Sequence, residues 1–119
     1  MKPSDFVQLL RAAVVDENVA IYRDLFTNTL TETASDTYWQ RALALFNSLS
    51  PEQQDVFFEV VRQIAVDTTS NVLGVIDGVN SIDGINEEFI LTYGDENKLL
   101  NGDLQSLFLV EEEKVLKNG

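Results

Sequence analysis

The chain has 119 residues, contains neither cysteine nor histidine, and carries a formal net charge of −12. This length predicts a single domain over residues 1–119. The absence of cysteine and histidine from the sequence excludes metal sites built on either residue and Ser-His-Asp hydrolysis. The negative charge predicts repulsion from phosphate backbones and anionic lipids, so we expect neither a nucleic acid nor a membrane as a partner.

Two helices, or one bent helix, are predicted for the N-terminal segment. Apolar residues recur at spacings of three and four over about 4–16 and again over about 18–30, with a break at Asp16-Glu17-Asn18. The stripe of the first segment is predicted to face the core, and it comprises Phe6, Leu9, Leu10, Ala13 and Val14.

Two further helices follow a threonine-rich loop. The first, at about 36–48, is predicted to bury Trp39. The second begins at Ser50-Pro51-Glu52-Gln53, which is typical of a capping box with proline in the first turn. It is a long central helix over about 51–73, and its apolar stripe comprises Val56, Phe57, Val60, Val61, Ile64, Ala65, Thr68 and Val72.

The pattern changes after this helix. Glycines and two Asp-Gly pairs predict a loop over 74–86. Alternating apolar side chains over 89–93, followed by a turn at Gly94, predict a small β-hairpin over 88–100. The predicted class is therefore α+β, although an all-α chain with an irregular tail is the alternative.

A terminal helix over about 104–116 completes the prediction, with Asp103 as its cap and a strand at 106–110 as the competing interpretation. The predicted architecture is mostly helical: an N-terminal bundle of about four helices, the C-terminal hairpin and this last helix.

The negative charge is concentrated in the second half of the chain. Residues 1–49 carry a net charge of −2 and residues 50–119 a net charge of −10, and 77–113 holds ten acids and one base. This distribution indicates either a solvated face that keeps the protein soluble or a recognition surface for a basic protein. The side chains predicted to contact such a partner are Asp77, Asp83, Glu87, Glu88, Asp95, Glu96 and Asp103.

By charge and size alone, the chain is similar to bacterial immunity and antitoxin-like inhibitor proteins, which cover the basic cleft of a nuclease. No motif places it in a named family. We therefore predict a non-enzymatic protein-interaction domain without a cofactor, with an immunity or inhibitor role as its concrete form. Residues 1–5 contain no apolar run, which predicts a cytoplasmic location. A homo-oligomeric structural protein is a further interpretation.

A different class of function would use the carboxylates directly, as a small enzyme or cation-binding domain centred on residues 77–88. Asp77, Asp83 and Glu87 are oxygen donors in a glycine-bearing loop, which a hard cation requires. The spacing departs from an EF-hand, because Val79 and Ile82 stand where an oxygen ligand and a glycine are expected. The sequence therefore favours no metal site and gives these three carboxylates as the only candidates for one.

Overall fold

The computed structural model of the chain describes residues 1–118, with side chains to residue 117. A π turn at Ala12–Asp16 joins α1 (Pro3–Arg11) to α2 (Glu17–Asn28) without a break, so the N-terminal segment is one continuous helix. Residues 1–118 contain no strand, so the fold is all-α and the α+β prediction was wrong. The helices are α1 (Pro3–Arg11), α2 (Glu17–Asn28), α3 (Thr37–Asn47), α4 (Pro51–Asp77) and α5 (Leu104–Asn118).

Local sequence motifs determine where helix α4 begins and where it ends. The Ser50 hydroxyl accepts a hydrogen bond from the Gln53 backbone N–H, and the Gln53 side chain accepts one from the Ser50 N–H, which confirms the predicted capping box. At the other end Gly78 adopts φ 81°, and the Val79 N–H donates to the Gly74 carbonyl at 2.9 Å. This Schellman-type ending extends the helix four residues beyond the predicted end.

Two separate clusters of buried side chains form along α4. At its C-terminal half, α4 packs against α5 and the π turn, and α1 packs on α5, around a core of Val7, Val15, Val66, Leu73, Leu104 and Phe108. At its N-terminal half, α2 and α3 surround an aromatic core of Phe26, Leu43, Phe46 and Phe58, with Trp39 half-buried against it. The long helix therefore connects two cores that share no buried residue.

A buried ion cluster fixes the π turn against α4 and α5. The turn, Ala12–Asp16, brings Arg11 and Asp16 together at a spacing of five residues, and two guanidinium nitrogens donate to the carboxylate at 2.8 and 2.9 Å. The third, Arg11 Nε, donates to Glu112 Oε2 at 2.8 Å. Because Arg11 and Glu112 are only 6% and 5% exposed, their charges are compensated by partners within the cluster and not by water.

Arg62 of α4 completes this cluster. Its guanidinium donates two hydrogen bonds of 2.9 Å to Glu112 and one of 3.2 Å to Asp16. Burial by itself would lower the pKa of Arg62, but its hydrogen bonds and charge attraction to Glu112 and Asp16 outweigh burial, so the pKa lies above its usual value. Arg62 therefore remains charged and holds α4 to both neighbouring helices.

The predicted hairpin is absent because one side chain occupies the hydrogen-bonding groups that a strand ladder needs. The Asn101 amide accepts from the Leu91 N–H at 2.8 Å and donates to the Phe89 carbonyl at 2.8 Å and to the Ile76 carbonyl at 2.7 Å. A single backbone bond, from the Leu100 N–H to the Leu91 carbonyl, joins the two arms. The chain therefore reverses direction as an irregular loop that Asn101 fastens to the end of α4.

The molecule is elongated for its length. Its radius of gyration is 17.9 Å, whereas a compact domain of this length has one of about 13.5 Å. Its accessible surface is 8400 Å², whereas a folded monomer of this mass exposes about 6,400 Å². None of the helices in residues 1–118 combines the length and apolar character needed to cross a bilayer.

Candidate protein interface

The connection between α4 and α5 carries most of the predicted contact residues. This segment, residues 79–103, is named the acidic loop. The carboxylates of Asp83, Glu87, Glu88, Asp95 and Asp103 are exposed, and within residues 1–118 they form no ion pair. Glu96 differs from them, because its carboxylate accepts hydrogen bonds of 2.9 and 3.2 Å from the N-terminal ammonium.

Asp77 lies outside this surface and has a structural partner. Its Oδ1 accepts from the Gly102 backbone N–H at 2.7 Å, and its Oδ2 accepts from the Gln105 N–H at 2.8 Å. The carboxylate of the last α4 residue therefore caps the first turn of α5, where the helix dipole favours negative charge. Asp103, the predicted cap, stands immediately before this helix with its carboxylate exposed.

Large apolar side chains alternate with the carboxylates along the acidic loop. Ile90 is 78% exposed, and the aromatic rings of Phe89 and Tyr93 are about half exposed. Ile82, Ile85 and Leu99 are exposed as well. A run of exposed side chains of this size is uncommon on a surface that only has to be solvated, and it is typical of a surface that contacts another molecule.

A cleft of about 220 Å³ separates the loop from the end of α4. Glu87 and Glu88 both line it, together with Val75, Ile82, Ile85 and Phe89. Adjacent residues of an extended strand would point to opposite sides. Because this segment is irregular, Glu87 and Glu88 instead both line one concave surface, which they share with apolar residues.

The candidate cation ligands are not brought together. Both oxygens of Asp77 accept backbone hydrogen bonds. Glu87 lines the cleft beside the loop, whereas Asp77 and Asp83 do not. Across residues 1–118, no set of three or more acidic side chains is arranged to hold a metal ion.

Sequence reasoning identified the acids of this surface but missed Asn101 and the outward apolar side chains. An Asn-Gly pair such as Asn101-Gly102 is by itself typical of a turn, and nothing local indicates that the Asn101 amide donates to carbonyls 25 and 12 positions earlier. Phe89, Leu91 and Tyr93 alternate with Ile90 and Thr92, and this alternation predicts a strand. The one sequence feature that could have indicated outward apolar side chains here was their large size in a segment rich in charged residues.

Comparison with protein-family models, with curated proteins and with solved structures gave no match.

Proposed function

We propose that this chain is a non-enzymatic protein-interaction domain whose acidic loop binds a basic protein. The observation that carries the proposal is the composition of the loop surface. Exposed apolar side chains, including Phe89 and Ile90, stand among carboxylates that form no ion pair within residues 1–118. This combination supports binding of a partner that has both apolar pockets and positive charge.

The two kinds of side chain would contribute differently. Aromatic and large aliphatic residues that become buried provide most of the affinity of a protein interface, and charged residues around them determine encounter rate and partner choice. On the acidic loop, Phe89, Ile90 and Tyr93 have the sizes of such anchors, and Glu87, Glu88 and Asp95 lie next to them in the sequence.

The anchored backbone also favours binding. A loop that must be ordered by its partner loses conformational entropy on binding. Here Asn101 ties the Leu91 N–H and the Phe89 carbonyl to the end of α4 before any partner arrives. Phe89 and Ile90 are therefore presented by a fixed segment of chain.

The basic side chains that form ion pairs within residues 1–118 do so with acids outside the acidic loop, and this supports a basic partner for the carboxylates of the loop. Arg11 and Arg62 are held in the internal ion cluster, and Lys114 and Lys117 pair with neighbouring glutamates of α5. Lys98 is the one base within the acidic loop. The concrete form of the proposal is an immunity or inhibitor protein of the cytoplasm, whose loop covers a positively charged cleft.

A pull-down from host extract at low salt and at about 1 M salt, where the screening length falls to about 3 Å, tests the proposal. The loop variant combines Asp83→Asn, Glu87→Gln and Glu88→Gln. Its matched control removes three exposed carboxylates from α4 with Glu52→Gln, Asp55→Asn and Glu59→Gln.

We expect the unmodified chain and the α4 control to retain a basic protein at low salt, and the loop variant to lose most of it. High salt should release the basic protein from the unmodified chain and from the α4 control. Partners that are neutral or acidic, or retention by the loop variant equal to that by the control, would overturn the proposal.

A further inference from the structure

Asn101 and Gly102 form a pair of residues that is chemically prone to deamidation. In an Asn-Gly pair the backbone nitrogen of the glycine attacks Cγ of the asparagine side chain, and glycine hinders this attack least because it has no Cβ. The sequence contains two such pairs, Asn101-Gly102 and Asn118-Gly119. The first of them lies at the end of the acidic loop, shortly before α5 begins.

The fold requires both members of the pair Asn101-Gly102. The Asn101 amide holds three backbone groups through one acceptor and two donors, and the residue is 8% exposed. Gly102 adopts φ 138°, a backbone conformation that residues with a Cβ rarely adopt. The anchor of the acidic loop therefore retains a reactive pair, because replacing either residue would remove a feature on which the anchor depends.

The folded structure restrains both reacting groups. The Gly102 N–H donates to Asp77 Oδ1 at 2.7 Å, so the attacking nitrogen lies beside a negative charge, which disfavours the loss of its proton. Attack also expels Asn101 Nδ2, which is bonded to the Ile76 and Phe89 carbonyls at 2.7 and 2.8 Å. Deamidation therefore requires local opening at the base of the acidic loop.

We propose that Asn101 is a deamidation site that the Asp77 carboxylate protects, and that its conversion releases the acidic loop permanently. When the base of the loop opens, the Gly102 nitrogen bonds to Asn101 Cγ, and Nδ2 leaves as ammonia with the proton that this nitrogen gives up. The product is a cyclic succinimide. Water then adds to one of its two carbonyls and opens the ring to aspartate or isoaspartate, so the net change replaces NH2 by OH.

Neither product restores the anchor. Both carry a carboxylate, which has no N–H to donate to the Ile76 and Phe89 carbonyls and is repelled by their oxygens. Isoaspartate in addition lengthens the backbone by one methylene group. The loop is then no longer tied to the end of α4, and refolding does not reverse a covalent change. This inference goes beyond the proposed function and does not depend on it, because it concerns the chain without a partner.

Peptide mapping by mass spectrometry, after incubation at mildly alkaline pH, measures deamidation at each asparagine separately. We expect Asn101 to deamidate rapidly in concentrated urea and far more slowly in the folded chain. Without urea, Asp77→Ala should accelerate the reaction about 5- to 30-fold, the factor by which loss of a helix cap shifts an opening equilibrium. Asp103→Ala, the matched control beside the pair, should leave the rate within about twofold of that in the unmodified chain. Circular dichroism checks that both variants keep their helices.

Release of the loop has a separate readout that does not require any change at Asp77. Asn101→Asp reproduces one product, and hydrogen exchange at the Leu91 and Leu100 amides, which bond across the two arms of the loop, should become faster. Asn97→Asp adds the same charge at an exposed position of the loop and should leave both exchange rates unchanged.

Three results would overturn the proposal. The first is deamidation of Asn101 in the folded chain as fast as in urea, or none in urea. The second is a rate in Asp77→Ala no higher than in Asp103→Ala. The third is exchange at the Leu91 and Leu100 amides that is as slow in Asn101→Asp as in Asn97→Asp.

Discussion

Asp77 and Gln105 are joined by a hydrogen bond of 2.8 Å from the Gln105 backbone N–H to Asp77 Oδ2, which ties the end of α4 to the start of α5. A second bond, from the Gly102 N–H at 2.7 Å, gives both carboxylate oxygens a partner. These two bonds close the base of the acidic loop. Asp77, which the sequence predicts to contact a partner, therefore has a structural role.

We predict that Asp77→Ala lowers the free energy of unfolding by about 1–2 kcal/mol, the usual cost of losing a helix cap. Urea denaturation followed by circular dichroism measures the change. Asp103→Ala is the matched control, because Asp103 stands at the position before α5 with an exposed side chain, and its cost should stay within about 0.5 kcal/mol. A larger cost for Asp103→Ala than for Asp77→Ala would contradict the assignment of the cap.

We predict that Asn101→Ala releases the acidic loop. The substitution removes the acceptor of the Leu91 N–H and the donor to two backbone carbonyls, with a loss of about 2 kcal/mol from unsatisfied buried groups. Hydrogen exchange at the Leu91 amide should become faster, because this N–H loses its protection. Asn97→Ala, at an exposed position of the same loop, should leave that exchange rate unchanged, and equal acceleration in both variants would contradict the prediction.

We predict that Glu112→Gln is among the most destabilising single changes in the chain. Neutralising this carboxylate leaves the two largely buried guanidiniums of Arg11 and Arg62 with Asp16 as their one remaining carboxylate partner, and breaking a buried pair in this way costs about 3 kcal/mol. Thermal and urea unfolding measure the loss. Glu113→Gln is the control, since Glu113 is exposed and pairs with Lys117 on the surface; a similar cost for both substitutions would mean that the cluster contributes no more than a surface pair.

We predict that Glu111 contributes stability that depends on pH. Its pKa lies below the usual value, mainly because the Lys114 ammonium donates a hydrogen bond of 3.1 Å to Oε1. A carboxylate whose pKa is lower in the folded state stabilises the fold above its ordinary pKa, and this contribution is lost as the pH falls through the lowered value.

The side-chain carboxyl resonance of Glu111, followed by NMR from neutral to acid pH, measures this shift. Lys114→Met should raise the pKa of Glu111 toward its ordinary value. Lys117→Met, which removes a cation whose partner is Glu113, should leave it in place. An unchanged titration in Lys114→Met would show that the lysine is not the cause.

Local chemistry predicted the helices well. The capping box at Ser50 is encoded by adjacent residues, and α4 and α5 begin within a residue or two of the predicted positions. Of the two alternatives open for the N-terminal segment, the structure has the single helix, with a π turn at Ala12–Asp16 and no break at Asp16-Glu17-Asn18. These features need no information from distant parts of the chain.

Features that depend on distant partners were not predictable. The alternation over 89–93 is a strand pattern, and only the Asn101 side chain, which reaches the Ile76 and Phe89 carbonyls, explains why no ladder forms. The core-facing side of α1 was predicted only in part, since Phe6 and Leu10 pack against the core as expected. Val7, Arg11 and Val15 are buried while Leu9 and Ala13 are exposed, and an arginine at the centre of the buried side conceals it from a hydrophobic pattern.

The acidic loop is the surface that we expect to contact the partner. The most direct measurement is a hydrogen-exchange footprint, in which the chain alone is compared with the chain bound to the basic protein it captures. We predict slower exchange over residues 82–99, with the largest change around Phe89 and Ile90, and little change over α5. Protection confined to α2, α3 or α5, with the acidic loop exchanging as it does in the free chain, would contradict the account.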